Sequence, residues 1–101
     1  MTKIMLDWHL YLIRCRDGSL YTGITTDVAR RFEEHQKNSD KGAKYLRGRG
    51  PLMLVFKKKL GSKNLALCME NKVKKLSKAK KEELIRDNAR IDEIIKRVGR
   101  K

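Results

Sequence analysis

Short apolar runs along the chain mark the strands of a small sheet. Residues 8–15, WHLYLIRC, are rich in aromatic and aliphatic side chains and predict a first strand. The turn-forming pair Asp17 and Gly18 follows, and residues 20–25, LYTGIT, predict a second strand. These two runs therefore predict a β-hairpin. Residues 52–56, LMLVF, predict a third, buried strand after a long polar stretch.

The length of the hairpin loop decides which side chains share one face of the sheet. A two-residue loop pairs Arg14 with Tyr21 and puts Tyr11 on the opposite face, because side chains alternate along a strand. A three-residue loop with Gly18 in the left-handed region pairs Ile13 with Tyr21 and puts both tyrosines on one face. The sequence permits both registers.

Capping residues and apolar stripes predict the helices. Thr26 or Asp27 can cap a helix over residues 28–37, and Ser62 and Ser77 can cap two more. One apolar stripe predicts the buried face of the second helix and consists of Leu65, Met69, Val73 and Leu76. A second stripe, expected to dock onto the domain, consists of Ile91, Ile94, Ile95 and Val98. The order β-β-α-β-α-α predicts a small α+β domain with a three-stranded antiparallel sheet flanked by helices.

Length and charge narrow the classes of function. The 101 residues predict a single domain, 1–101, with its core at about 8–86 and a basic, helical C-terminal extension at 87–101. No run is long enough to cross a bilayer, and Cys15 and Cys68 are interpreted as reduced thiols of a cytoplasmic protein. The formal charge of +14 favours a polyanionic partner, and nucleic acid before an acidic membrane.

Five polar side chains are candidates for chemistry: Tyr11, Tyr21, Arg31, His35 and Glu70. Each also has a plain structural explanation. Hairpin tyrosines usually pack across strands, charged helical residues usually coat a solvated face, and Glu70 can pair with the lysine at i+4. Taken one at a time, these residues do not indicate an enzyme.

The five residues in their order resemble the GIY-YIG nuclease superfamily. Residues 9–11, HLY, stand where the family has GIY, and residues 21–23, YTG, stand where it has YIG. Arg31 and His35 match the family's helix-borne Arg and His or Tyr, and Glu70 matches its metal-binding acid on the helix after the third strand. Together these matches imply a nuclease fold, and the activity follows as an expectation.

The flanking sequence is similar to the small, single-domain bacterial, UPF0213-like branch of that superfamily. The similar segments are DGSLYTGITTDVARRFEEH, KGAKYLRGRGP and MENKVKKLSKAKKEELI, within residues 8–86. Departures from the family that bear on the expected activity lie in the first motif, directly after the second motif and beyond the acid. His9 and Leu10 replace Gly and Ile, Ile24 stands where some relatives carry a lysine, and Asn88 lies too far along to match the Asn that larger members place beyond the acid.

The resemblance implies metal-dependent hydrolysis of phosphodiester bonds. Glu70 would hold one Mg²⁺ or Mn²⁺ ion, and Arg31 would clamp the scissile phosphate. Tyr11 or Tyr21 would orient or deprotonate the attacking water, after a metal or Arg31 had lowered its pKa. His35 would bond a phosphate oxygen or relay a proton. This arrangement needs the three-residue hairpin loop, with all five side chains around one shallow patch.

Substrate binding is expected from the glycine of the second motif and from the loop of residues 41–49, which precedes the third strand and is called the cationic loop. The set expected to bind substrate consists of Gly23, Lys41, Lys44, Tyr45, Arg47 and Arg49. Gly23 would let the substrate approach the backbone, and Tyr45 would stack on an unpaired base or anchor the loop on the core. The expected partner is nucleic acid, and DNA is favoured over RNA. Neither membrane binding nor a small-molecule cofactor is expected, and the sequence is compatible with a protein partner. The alternative function is a non-catalytic nucleic-acid-binding module or accessory subunit on the same fold.

Overall fold

The computed structural model describes residues 6–37 and 42–99, which form three strands and four α-helices. The strands are β1 (Trp8–Arg14), β2 (Leu20–Thr25) and β3 (Met53–Gly61). The helices are α1 (Val28–Gln36), α2 (Lys63–Lys74), α3 (Lys78–Arg86) and α4 (Arg90–Gly99), with a short 3₁₀ turn at Lys44–Leu46. The strands form one antiparallel sheet in the order β2-β1-β3. This confirms the predicted α+β class and the three-stranded sheet.

The hairpin adopts the register with the three-residue loop. Ile13 pairs with Tyr21, Tyr11 pairs with Gly23, and Gly18 has a φ of 87°. The positive φ at Gly18 fits a three-residue connection, in which a glycine supplies the left-handed conformation. Tyr11 and Tyr21 therefore lie on the same face of the sheet.

The central strand β1 is buried on both of its faces, which explains why most of its residues are apolar or aromatic. Leu10 and Leu12 point into a core beneath α2, α3 and α4. The other members of that core are Phe56, Met69, Val73, Leu84 and Ile91. Tyr11 and Ile13 point to the opposite side, into a second core formed with α1 and the loop before β3. That second core is the floor of the candidate site.

Strand β3 extends to Gly61, five residues beyond the predicted end of the strand at Phe56. Residues 57–59 are lysines, so the sequence after Phe56 has no apolar pattern that indicates a strand. Lys57, Lys58 and Lys59 nevertheless pair with β1. Because β3 is an edge strand, these charged side chains can reach water while the backbone completes the ladder.

The helix starts follow the local capping rules. Asp27, Ser62 and Ser77 each accept a hydrogen bond from the backbone N–H three residues further on, at 3.1, 3.2 and 3.2 Å. Asp27, rather than Thr26, caps α1 through its side chain. None of the helices within the described ranges is both long and apolar enough to span a bilayer.

The C-terminal part forms two helices, so the observed order is β-β-α-β-α-α-α. Helix α3 ends at Arg86, where Asp87 is extended with a φ of −133°. Helix α4 packs against α2, and its first apolar residue, Ile91, is fully buried. The other apolar residues of the predicted stripe, which pack on the same core, are Ile94, Ile95 and Val98. This confirms the expected docking of the C-terminal stripe.

Candidate active site

The centre of the candidate site is a hydrogen bond between Tyr11 of β1 and His35 of α1. The Tyr11 Oη and His35 Nε2 atoms are 3.0 Å apart, and each side chain is only 2 % exposed. The phenol ring of Tyr11 lies over Gly23 on the neighbouring strand. A Cβ on Gly23 would stand 2.5 Å from Tyr11 Cζ, so the missing side chain makes room for the tyrosine. The space above Gly23, which was expected to admit substrate, is occupied by Tyr11.

The protonation state of His35 follows from its two hydrogen bonds. The backbone N–H of Ala43 donates to Nδ1 at 3.0 Å, so the proton of the neutral ring is on Nε2 and is donated to Tyr11 Oη. Burial, helped by the charge of Arg31, lowers the pKa of His35 to about 4. His35 is therefore neutral at neutral pH. Neither ring nitrogen is free for the phosphate contact or proton relay expected from the sequence.

Arg31 lies one helical turn before His35 and reaches the same phenol. Its guanidinium donates to the Tyr11 hydroxyl, and its Nη1 atom is 2.9 Å from Glu34 Oε1. Burial raises the pKa of Tyr11 above its usual value, the nearby Tyr21 adds to this, and Arg31 opposes it without overcoming it. Tyr11 is thus a protonated phenol that accepts hydrogen bonds and holds Arg31 in place.

Tyr21 is the more accessible of the two tyrosines. Its ring centroid is 6.3 Å from that of Tyr11 and 5.6 Å from that of His35, while the side chain stays half-buried. On its outer side Tyr21 stacks on Tyr45 at 5.9 Å, and Arg49 covers the Tyr45 ring at 4.3 Å. Tyr45 therefore anchors the loop on the site, which is the second of the two roles that the sequence allows it.

Glu70 is on α2, which contacts β2 and β1 and packs on the face of the sheet opposite to that of Tyr11. It follows the buried Met69, its side chain is 19 % exposed, and its Oε2 atom is 3.4 Å from Lys74 Nζ. Its charge acts on Tyr11 and helps to raise the pKa of that phenol, so the carboxylate lies within electrostatic range of the hydroxyl. Of the other four candidate residues, Tyr11 is the one on which Glu70 acts electrostatically.

The donor set fits a hard divalent cation better than a resident zinc ion. Within residues 6–37 and 42–99, no three His, Cys, Asp or Glu side chains are grouped to hold a metal. A lone carboxylate such as Glu70 cannot build the four-ligand site that structural zinc requires. Mg²⁺ and Mn²⁺ are commonly held by one or two carboxylates together with waters and substrate phosphates. Glu70 can supply that carboxylate.

The cationic loop carries its charges on the surface around one buried anchor. Leu46 is 2 % exposed and fixes the 3₁₀ turn, so that Lys44 and Arg47 on either side of it are exposed. Arg49 Nη1 is 3.2 Å from Asp17 Oδ2 in the hairpin turn, which ties the loop to the end of the hairpin. Lys41, the remaining cation of the predicted set, lies outside the described residues.

Comparison with known proteins agrees with this geometry. Residues 7–83 match the family model for the GIY-YIG catalytic domain. The chain belongs to the GIY-YIG family. It is 57 % identical over 81 residues to a UPF0213 protein of Citrobacter koseri, covering 80 % of this chain and 79 % of that one. It is 53 % identical over 91 residues to the UPF0213 protein YhbQ of Escherichia coli K12, covering 90 % and 89 %.

Two solved structures share the fold. The solution NMR structure of the UPF0213 protein BH0048 from Bacillus halodurans is 49 % identical, with a TM-score of 0.51 over 78 % of this chain and 82 % of that chain. The solution NMR structure of the protein EF2693 from E. faecalis is 35 % identical, with a TM-score of 0.56 over 79 % and 83 %. The resemblance seen in the sequence is confirmed at the level of family and fold.

Two residues near the GIY-YIG motifs escaped the sequence reasoning. Glu34 pairs with Arg31, and its position at i+3 on the same helix could have indicated this. Thr22, the middle residue of the second motif, is 3 % exposed, and its hydroxyl has no hydrogen-bond partner in the described part of the chain. Threonine stands here in place of the isoleucine of the YIG motif, and this polar replacement could have drawn attention to the position.

Proposed function

We propose that this GIY-YIG domain is a metal-dependent endonuclease that hydrolyses phosphodiester bonds in DNA with low sequence specificity. The observation that supports it is the convergence of Tyr11, Tyr21, Arg31 and His35 from two strands and one helix, with Glu70 approaching from a second helix. Side chains so distant in sequence have no packing reason to bring a guanidinium, a carboxylate and two phenols together. The charge of +14 suits a nucleic-acid substrate.

Arg31 is the residue that we assign to the scissile phosphate. Its guanidinium is permanently charged and can bind two phosphate oxygens at once. Tyr11 and Glu34 hold it from two sides, and His35 in turn holds Tyr11. Tyr11 and His35 are therefore positioning residues, which act on the phosphate through Arg31.

Glu70 is the residue that would hold Mg²⁺ or Mn²⁺, which when bound supplies positive charge to the phosphate oxygens. Tyr21 is assigned to orient the attacking water. It is half-buried and faces the rim, whereas Tyr11 is 2 % exposed and burial raises its pKa. A tyrosine hydroxyl in the position of Tyr21 can accept a hydrogen bond from water and fix its direction of approach.

The experiment that tests this proposal is a cleavage assay with a matched pair of carboxylate variants. Supercoiled plasmid, single-stranded DNA and branched DNA are incubated with the protein in Mg²⁺ or in Mn²⁺. Glu70→Gln should lower the rate at least about 100-fold, which corresponds to about 3 kcal/mol of barrier. Glu33→Gln should leave the rate unchanged, because Glu33 is paired with Lys37 on the exposed side of α1. Cleavage that survives Glu70→Gln would contradict the assignment.

The two tyrosines give a second test of the assigned roles. Tyr21→Phe should lower the cleavage rate while leaving stability nearly unchanged, because the described structure shows no hydrogen bond from its hydroxyl. Tyr11→Phe should lower both the rate and the melting temperature, because it removes the buried bond to His35. Equal effects of the two variants on rate and stability would contradict the division of roles.

A nucleic-acid-binding module without turnover is the second candidate. The ion pair between Glu70 and Lys74, at 3.4 Å, favours it because it partly neutralises the carboxylate assigned to the metal. Binding that weakens steeply with salt, without cleavage of any of the three substrates in either metal, would support this function instead.

A further inference from the structure

A depression lies at the free edge of β2, beside the candidate active site. Its volume is about 390 Å³, and its lining consists of Leu20, Tyr21, Thr22, Tyr45, Lys74 and Lys81. Tyr21 belongs both to this depression and to the candidate site, and Lys74 is the ion-pair partner of Glu70. A ligand in the depression would therefore lie next to the reacting groups.

One residue of the lining, Thr22, has a buried polar group that the described residues leave unsatisfied. Thr22 is 3 % exposed, and its hydroxyl has no hydrogen-bond partner among residues 6–37 and 42–99. A buried hydroxyl without a partner destabilises the folded state, and such groups in native proteins call for an explanation such as a ligand. The aliphatic residue of the family motif would fill the same space without that penalty.

Two lysines from different helices belong to the same lining. Lys74 is on the last turn of α2 and Lys81 is on α3, yet both line the same depression. Lys81 has no ion-pair partner in the described part of the chain, and the nearby Lys74 is paired with the candidate metal ligand. Two positive charges that line one depression suit an oxyanion.

We propose that the depression binds the backbone phosphate of the nucleotide next to the cleaved bond, through Lys81, Lys74 and the hydroxyl of Thr22. This inference rests on the proposed function, because it assigns a subsite of the same substrate. The two aromatic rings of the lining, Tyr21 and Tyr45, are not expected to stack on bases, because Tyr45 already lies between the Tyr21 ring and the Arg49 guanidinium. The subsite therefore recognises phosphate whatever the base.

Two neighbouring lysines of α3 provide a matched test. Lys81 lines the depression, whereas Lys80 lines a groove between α3 and α4 that does not reach β2. Binding of a fluorescein-labelled oligothymidine is measured by anisotropy in EDTA, which suppresses turnover, over a range of salt concentrations. Lys81→Gln should weaken binding about fivefold at 0.1 M salt and reduce the salt slope by about 0.7, the value for one phosphate contact on a single strand. Lys80→Gln removes the same charge and should have a much smaller effect.

Two further probes separate phosphate binding from a structural role. An abasic strand of the same length should show the same difference between Lys81→Gln and Lys80→Gln, because only phosphates are contacted. Thr22→Val should raise the melting temperature and yet weaken binding at least about twofold, because it removes an unsatisfied hydroxyl that the substrate uses. A purely structural threonine would move stability and affinity in the same direction.

The possible failures can be told apart. If Lys81→Gln and Lys80→Gln weaken binding equally while Glu70-dependent cleavage is observed, the subsite is overturned and the proposed function stands. If Lys81→Gln alone weakens binding but no substrate is cut, the phosphate subsite stands and the endonuclease is overturned. If Thr22→Val lowers the melting temperature and leaves binding unchanged, the role of its hydroxyl is overturned.

Discussion

Replacing Gly23 by alanine tests the packing at the centre of the candidate site. An added Cβ would lie 2.5 Å from Tyr11 Cζ and 3.0 Å from Tyr11 Cε2, with the hydroxyl oxygen in contact as well. Carbon atoms prefer separations of about 3.5 to 4.0 Å, so the ring would have to move by about 1 Å. Such a movement would break the 3.0 Å hydrogen bond to His35.

The expected loss of stability can be estimated from three effects. Overpacking a core costs about 1–3 kcal/mol. Loss of a buried hydrogen bond adds about 1 kcal/mol. Glycine in a strand is itself destabilising, so alanine would return about 0.5–1 kcal/mol. We therefore expect Gly23→Ala to lower the free energy of unfolding by about 2 kcal/mol, and the melting temperature by at least about 8 °C for a domain of this size.

The assay combines urea unfolding with NMR titration of the His35 ring. In the parent protein, burial and the charge of Arg31 hold the pKa of His35 at about 4. If the Tyr11 ring is displaced in Gly23→Ala, water reaches the imidazole and its pKa should rise towards the usual value near 6.5. The other histidine, His9, is assigned with a His9→Gln variant.

A double-mutant cycle identifies Tyr11 as the source of the effect. In a Tyr11→Leu background the ring is absent, so Gly23→Ala should be neutral or stabilising, as alanine usually is in a strand. The coupling between the two sites should be about 2 kcal/mol. The explanation would be refuted by the same loss of stability in both backgrounds, or by an unchanged pKa of His35 in Gly23→Ala.

Three further predictions concern stability. The pKa of His35 is lower in the folded chain than in the unfolded one, so protonation of His35 destabilises the folded chain, which has its full stability above about pH 6.5. Urea unfolding should show that the free energy of unfolding falls by about 3 kcal/mol as the pH is lowered from 6.5 to 4, and by less in His35→Gln. Ile91→Ala should cost about 3 kcal/mol, and a loss below about 1 kcal/mol would show that α4 is not part of the core. Glu82→Gln breaks the bidentate pair with Arg14, at 2.6 and 2.7 Å, and should cost about 1 kcal/mol by thermal unfolding, because both groups are partly exposed; no change would show that the pair is neutral.

The sequence by itself determined the features that depend on short-range interactions. The caps at Ser62 and Ser77 are local hydrogen bonds between a side chain and the backbone three residues on, so residue type nearly decides them, and for α1 the sequence left only Thr26 or Asp27. The strands β1 and β2 follow from apolar runs bounded by turn residues. The set of candidate site residues came from the order of matching motifs, not from any single residue.

Only the tertiary structure decided the features that depend on distant partners. The sequence allowed two hairpin registers, and packing of Tyr11 and Tyr21 on one face selected the three-residue loop. The lysines that end the apolar pattern of β3 hid its true length, because backbone pairing with β1 does not depend on side-chain polarity. The polarity pattern of a segment therefore does not show whether its backbone pairs with a distant strand.

The roles of the site residues show the same division. His35 looked like an exposed helical residue, but Ala43, eight residues away, and Tyr11, on another strand, bury it and use both of its nitrogens. The missing Cβ of Gly23 serves Tyr11, a contact that exists only once the hairpin has formed. Burial changes pKa values and consumes hydrogen-bonding groups, and burial is a property of the folded chain, which residue type alone does not specify.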